Sequence, residues 1–347
     1  MLFQNDEKSK SLTIVILTPY RGPGNLPAVF ITPEERGVIR GFVEFQSTKD
    51  IQGGDLDLAF RVKSEARWSR QRGEHRHVYH SKQVLQRQAW NIPIRHTRHG
   101  VVAAGNTRFD FEAFLDPQSP SSIQGRRGWL NYRLRATLHR SFFRRNIVFR
   151  QDVWVFSSCL PMPGPDILPS PHVFTGVWQS YLPFTISIPS ENIHLGQRLP
   201  MTVQFEPFER ASGHYGQELV IISAVVKLKQ YTRLWHRRNV KNETKEVLNA
   251  PVHDGWPHTA RGFQRTVWVD IPHAPRLSCT TFTQPVQKTH RLKIIMSVKT
   301  AAMADRDAKE FRVEMEVNVT GPRPPPAEEL PPYSAVWEGH IGGVDSD

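Results

Sequence analysis

Gly128-Trp129-Leu130-Asn131-Tyr132-Arg133-Leu134-Arg135-Ala136-Thr137-Leu138 alternates apolar and polar side chains without a break. On an extended chain, side chains two residues apart point the same way. Leu130, Tyr132, Leu134, Ala136 and Leu138 therefore form one row bound for a core, while Asn131, Arg133, Arg135, Thr137 and His139 face water. The same period recurs on both sides of this segment. Upstream, Leu56, Leu58, Phe60 and Val62 alternate with Asp57, Ala59 and Arg61, and Phe109, Phe111, Ala113 and Leu115 with Asp110, Glu112 and Phe114. Downstream, Val220, Ile222, Ala224, Val226 and Leu228 alternate with a mostly polar set ending in Lys227. Phe311, Val313, Met315, Val317 and Val319 do so with Arg312, Glu314, Glu316 and Asn318. Half-buried strands are expected in all five places.

The 27 prolines and 22 glycines separate short apolar runs rather than long amphipathic stretches, which argues against helical bundles and coiled coils. A chain of 347 residues is long enough for two cores. Pro161, Pro163, Pro165, Pro169 and Pro171 deny ladder hydrogen bonds between the halves and place the junction there. The economical architecture is all-β: two tandem antiparallel immunoglobulin-like β-sandwiches. The expected division is a first sandwich over 1–160, a proline-rich connector over 161–173, a second sandwich over 174–320 and a proline-rich, disordered tail over 321–347.

Two cysteines, Cys159 and Cys279, form neither a disulfide framework nor a CxxC zinc pattern, so a reducing compartment is the simpler reading. No apolar run reaches the roughly 20 residues that span a bilayer, and the apolar run from Leu12 to Leu17 is too short for a signal-peptide core. A cytosolic protein is expected. Formal net charge is +12, yet residues 61–150 alone carry +14, almost all of it arginine, and the remainder carries −2. The planar guanidinium fork suits carboxylates and phosphates, so an acidic partner is implied. Among the arginines, Arg126, Arg127, Arg133, Arg135, Arg140, Arg144 and Arg145 follow one another around a Gly125 to Gly128 turn and form the candidate face for acidic cargo or lipid.

No G-x-S-x-G elbow, phosphate-cradling glycine loop or H-E-x-x-H is present, so no catalytic residue and no cofactor site is expected. His75, His77 and His80 have a metal-like spacing, but Arg70, Arg72 and Arg76 would repel a cation; an exposed polar loop is expected, with no metal. No helix-turn-helix, zinc-finger or RNA-recognition signature accompanies the basic segment, and nucleic acid is not expected as a partner. Of the nine tryptophans, only Trp337 in the tail is read as exposed; core packing is the default for the others.

Several motifs carry a family resemblance. Val38-x-x-Gly41-x-Val43 leads to the Leu56 strand and Trp68. Ala104-Gly105 precedes Phe109-x-Phe111, and Pro120-Ser121 precedes Gly128-x-Leu130-x-Tyr132-x-Leu134-x-Ala136. In this order they resemble an arrestin N-domain. Ile186-x-Ile188-Pro189, Gly196, the Val220 to Leu228 strand and His290-x-Leu292 before the Phe311 strand resemble an arrestin C-domain. Over residues 11–320 the chain is thus similar to the α-arrestins, the arrestin-related trafficking adaptors, of the fungal kind.

The resemblance implies the arrestin fold and a non-enzymatic adaptor that links cytoplasmic segments of membrane transporters or receptors to a WW-domain HECT-type ubiquitin ligase for endocytosis and sorting. The implied location is cytoplasmic and peripheral at plasma membrane or endosomes, with anionic lipids among the candidate partners. Leu330-Pro331-Pro332-Tyr333 fits the L-P-x-Y form of the PY motif, which WW domains bind as polyproline II. Family members are often ubiquitinated on C-domain lysines, for which Lys227, Lys229, Lys293 and Lys299 are candidates in exposed phase. The alternative within the same fold is an endosomal sorting scaffold of the retromer-subunit kind that recruits no ligase.

Overall fold

The computed structural model describes residues 10–32, 37–92, 101–102, 104–140, 145–158, 170–208, 216–252, 255–257 and 260–323. Among them, regular structure is almost entirely strand, interrupted only by two short 3-10 turns, Pro23–Asn25 and Asp305–Asp307. No helix among these residues is long and apolar enough to cross a membrane.

The first half holds β1 (Lys10–Ile16), β2 (Ala28–Ile31), β3 (Val38–Ser47), β4 (Ile51–Arg72), β5 (His75–Ile92), β6 (Val101–Val102), β7 (Gly105–Phe114), β8 (Gly128–Arg140) and β9 (Ile147–Ser157). They form a three-stranded sheet, β1-β3-β7, and a six-stranded sheet, β2-β9-β8-β4-β5 with β6 beside β4. The second half holds β10 (His172–Trp178), β11 (Leu182–Ile188), β12 (Asn192–His194), β13 (Arg198–Phe205), β14 (Leu219–His236), β15 (Asn239–Val252), β16 (Phe263–Asp270), β17 (Thr281–Thr283), β18 (Val286–Thr300) and β19 (Lys309–Thr320). Its sheets are β10-β11-β13-β16 and β12-β19-β18-β14-β15, with β17 beside β18. No sheet among the described residues mixes the two halves. Both large sheets end in a parallel pair, β2 with β9 and β12 with β19, within otherwise antiparallel ladders.

Alternation becomes burial where the sheets face each other. Leu56, Leu58, Phe60 and Leu130, Tyr132, Leu134, Ala136 and Leu138 are fully buried in the first core, and Phe311, Val313, Met315, Val317 and Val319 are buried in the second. Each core also reaches across the junction. Leu234 and Val286 of the second half pack into the first core, and Ala28, Trp154 and Phe156 into the second. Gly128 shows how close that approach is: a Cβ there would stand 2.9 Å from Leu234 Cδ2 and from Val286 Cγ2. Gly41 serves the first sandwich in the same way, since a Cβ on it would lie 2.1 Å from the Val15 carbonyl of β1. Ser121 Oγ accepts the Ser157 amide at 2.8 Å and Ser122 Oγ the Val155 amide at 2.9 Å, while the buried Tyr132 hydroxyl donates to the Pro120 carbonyl.

Four sequence readings change. Leu219 and Ile221, rather than Val220 and Ile222, are buried at the start of β14, because a bulge between Ile221 and Ser223 uses one extra residue and switches the inward row. His75, His77 and His80 are exposed but belong to a strand, since β5 pairs with β4 as far as Arg72 opposite His75, around Gly73 with φ +59°. Trp268 is 57% exposed; Val267 and Val269 take the inward phase of β16 and leave it facing out. Lys293 is only 5% exposed, its ammonium held by Glu314, and Lys299 is drawn to Asp305 at 2.6 Å. Both lie in the outward row of β18, where Glu314 and Asp305 draw their ammonium groups in, so outward phase alone does not bring exposure.

Candidate functional site

The outward face of the large first sheet is built by register. Residues opposite one another on paired strands share a face. Arg87 of β5, Arg61 of β4, Arg133 of β8 and Asp152 of β9 form one such row, and Ala89, Ala59, Arg135 and Arg150 the next. Lys63 stands opposite Asn131, and Glu65 between Lys82 and Trp129. Arg61, Lys63, Lys82, Arg133, Arg135 and Arg150 thereby line one concavity of about 410 Å³ together with Glu65.

The carboxylates nearby are already engaged. Asp152 takes both arms of the Arg133 fork, Nε at 2.5 Å and Nη2 at 2.9 Å, and Glu65 accepts from His80 Nε2 at 2.6 Å. Burial lowers the pKa of Lys63, and Lys82, Arg61 and Arg133 lower it further against the opposing pull of Glu65. Arg61 Nε is buried and makes no hydrogen bond among the described residues. Arg61 opposite Arg133, and Arg135 opposite Arg150, are like-charge pairs that cost a sheet stability. A face assembled at that cost is one that an anion would relieve: each guanidinium offers a planar fork for a carboxylate or phosphate.

The seven arginines read as one face from the sequence separate in space. Arg133 and Arg135 are exposed side by side in the concavity. Arg126 and Arg127 sit on the turn closed by the Ile123–Leu130 bridge and look toward the second half, where Arg127 pairs with Glu243. Arg140 lies at the end of β8, with its Nε buried and unpaired among the described residues, and Arg145 is exposed before β9. Arg144 and the tail segment Leu330-Pro331-Pro332-Tyr333 lie outside the described residues. The sequence reading missed Arg61, Lys63, Lys82 and Arg150. The outward phase of the Leu56 strand already contained Arg61, but its place beside Arg133 depends on a pairing some 70 residues away in sequence, which no local pattern encodes.

Residues 30–159 match the family model described as the N-terminal domain of arrestin, or S-antigen, from within β2 to just past β9. Over those residues the chain is similar to an arrestin N-terminal domain. A curated relative from Schizosaccharomyces pombe, named as an arrestin-related trafficking adapter, C2D10.04, is 23% identical over 244 residues, covering 65% of this chain and 35% of that protein. The chain thus spans about a third of the length of the relative it matches. That likeness is in line with the α-arrestin branch, and the basic concavity, built on β4, β5, β8 and β9, falls wholly inside the matched N-terminal region.

Proposed function

We propose that this chain is an arrestin-like trafficking adaptor without chemistry of its own, whose basic sheet face engages acidic cytoplasmic segments of membrane transporters or receptors, with anionic lipid headgroups as an auxiliary contact. The observation that carries the reading is the concavity in which Arg61, Lys63, Lys82, Arg133, Arg135 and Arg150 converge while Asp152 and Glu65 are committed to Arg133 and His80. The relative's name as a trafficking adapter supports it. In the same reading, Leu330, Pro331, Pro332 and Tyr333 recruit a WW-domain HECT-type ubiquitin ligase: proline sets the polyproline II helix and Tyr333 fills an aromatic pocket. Holding ligase and cargo on one chain raises their effective concentration for one another.

A reconstituted assay tests both ends together. The full chain is mixed with a WW-domain ligase and with vesicles that display an acidic cargo segment, and cargo ubiquitination is measured. Tyr333→Ala should abolish ubiquitination while leaving vesicle recruitment intact; Arg133→Glu with Arg135→Glu should abolish recruitment while leaving WW-domain pull-down intact. If Tyr333→Ala behaves as wild type, ligase recruitment by this motif is refuted.

A further inference from the structure

The first strand of the second half, β10, lies at the edge of its sheet: β11 pairs with one side of it, and no strand among the described residues pairs with the other. Open edges invite pairing with another chain, and folded proteins usually blunt them with charge, proline, a bulge or short length. Most other described edges follow that rule. β5 carries Arg76 and Lys82, β7 Asp110 and Glu112, and β15 Lys241 and Glu243, while β2 and β12 are only four and three residues long. β10, which reads His172-Val173-Phe174-Thr175-Gly176-Val177-Trp178, has none of these devices. From Ile167 to Ser190 the sequence holds no Asp, Glu, Lys or Arg, in a chain of which 22% is charged. Val173 and Val177 are each 51% exposed, and Phe174 is 41% exposed.

The ladder shows which backbone groups are left over. Pro183 of β11 stands opposite Val177 and has no N–H to give, and its carbonyl accepts the Glu206 amide, just past β13, at 3.0 Å. Pro183 thus bonds away from β10, and Val177–Pro183 is a pair without hydrogen bonds. By the antiparallel alternation, Thr175–Thr185 and Val173–Ser187 are pairs of the same kind. The N–H and C=O groups of Val173, Thr175 and Val177 therefore point to the open side of the strand.

We propose that β10 pairs antiparallel with β10 of a second copy of this chain, about a two-fold axis at Thr175, and so joins two four-stranded sheets into one. The strand is self-complementary in that register. Thr175 meets its own counterpart, and Val173 meets Val177 of the second copy, so the three residues with free backbone groups supply every hydrogen bond. On the other face Phe174 meets Gly176 of the second copy. A Cβ on Gly176 would stand 2.9 Å from the Phe184 ring, and Phe174 stacks on that ring within its own copy at 6.0 Å between centroids, so the large residue of each edge faces the small one of the other. Moving the axis to Phe174 sets valine against threonine and Phe174 against itself, which loses both matches. The edge carries no charge, so the chain's net positive charge does not repel at the contact. One pair of strands is small beside a standard interface, and the dimer is accordingly weak, with a dissociation constant on the order of tens of micromolar. Its consequence is bivalency: two basic concavities in one complex hold clustered acidic segments more firmly than either does alone.

Sedimentation velocity of the full chain from about 1 to about 200 micromolar, a range that brackets the affinity of so small an interface, should show a monomer passing into a dimer. Val173→Lys with Val177→Lys should stay monomeric throughout, because the register sets the new charges directly opposite one another. Both positions are exposed, so the fold should be kept. Cysteine crosslinking reads the register itself. Thr175→Cys should form a disulfide-linked dimer under mild oxidation, since opposed Cα atoms in a hydrogen-bonded pair lie about 5.5 Å apart. Val173→Cys or Val177→Cys alone should not, being about 13 Å from its own counterpart, whereas an equal mixture of the two should. Wild type, which keeps Cys159 and Cys279, sets the background. A wild type that is monomeric across the range would leave this edge to a strand of another protein and overturn the proposal. So would a dimer that survives the two lysines, or Val173→Cys crosslinking alone as readily as Thr175→Cys.

Discussion

The outward faces of the two large sheets are built from the same kind of ladder and carry charge in opposite ways. On the second sheet, Glu246, Lys229, Arg291 and Glu316 form one row, and Lys227, Lys293 and Glu314 the next. Nearly every cation there has an anion across the strand: Lys227 meets Glu246 at 3.2 Å, Arg291 meets Glu314 at 3.2 Å and Glu316 at 2.8 Å, and Lys293 meets Glu314. On the first sheet the two corresponding rows contain Arg87, Arg61, Arg133, Arg135 and Arg150 against Asp152. The balanced face is finished within the chain. The unbalanced one is complementary to something outside it, since six cations converge there against Glu65 and Asp152.

The largest effect expected from this difference is on binding. Arg133→Glu with Arg135→Glu should weaken association with an acidic peptide about a hundredfold, because two forked contacts become repulsions. The matched reversal on the second sheet, Lys227→Glu with Lys229→Glu, should change the same affinity by less than about twofold, as Glu246 already pairs with Lys227 and stands opposite Lys229, and distant exposed charge is screened. Fluorescence anisotropy with one labelled peptide measures both. Equal losses would mean that net charge, not the concavity, governs binding.

Stability should show the reverse asymmetry. Glu314→Gln leaves Lys293 buried without its anion and should cost about 2 kcal/mol by chemical denaturation, less than for a fully buried pair because Glu314 keeps some solvent contact. The pH dependence carries the same sign. Burial pushes the Glu314 carboxyl up, but hydrogen bonds from Lys293 and Arg291 outweigh it and hold its pKa below the ordinary 4.5. A depressed carboxyl binds fewer protons folded than unfolded, so its contribution is complete above that ordinary value and is lost as pH falls through the depressed one. Stability curves of wild type and Glu314→Gln should therefore converge in acid. Parallel curves would show that the pair contributes nothing.

The two faces also differ in how far they could be read without a structure. Strand identity was legible in the five alternating segments, because a sustained period of two residues has one physical meaning, and Tyr132, Phe60 and Phe311 are buried as their phase requires, whereas the polar His75 to His80 stretch of β5 carried no such period. The arginine excess and the outward phase of Arg133 and Arg135 were legible for the same reason. Which strand lies beside which was not. Whether Arg133 would meet Glu or another Arg across the ladder is set by register between β4, β8 and β9, and it is this register that makes one face a binding surface and the other a closed ion-pair lattice. Phase fails where a bulge intervenes, as at Ile222, and phase alone cannot report depth, as Lys293 demonstrates. The separation of Arg126 and Arg127 from Arg133 and Arg135 has a similar origin: the former precede the strand and follow the turn, whose direction is fixed by Leu234 and Val286 packing on Gly128.

The smallest effect concerns the Arg133–Asp152 ion pair on the unbalanced face. Asp152 occupies both arms of the Arg133 fork, so that an acidic ligand must compete with it for the same donors. Asp152→Asn keeps the side-chain shape, removes one negative charge from the rim and leaves an amide that accepts only weakly. An acidic peptide should then bind about threefold to tenfold more tightly, the gain of one partly exposed charge contact. Folding stability should fall by no more than about 1 kcal/mol, since both partners are substantially exposed. The gain should shrink as salt is raised, in contrast to the loss at Glu314, which lies in a partly buried pair and is screened less. If Asp152→Asn weakens peptide binding instead, Asp152 is positioning Arg133 for its ligand rather than competing with it. The concavity would then be a preorganised site whose internal carboxylate belongs to the recognition geometry.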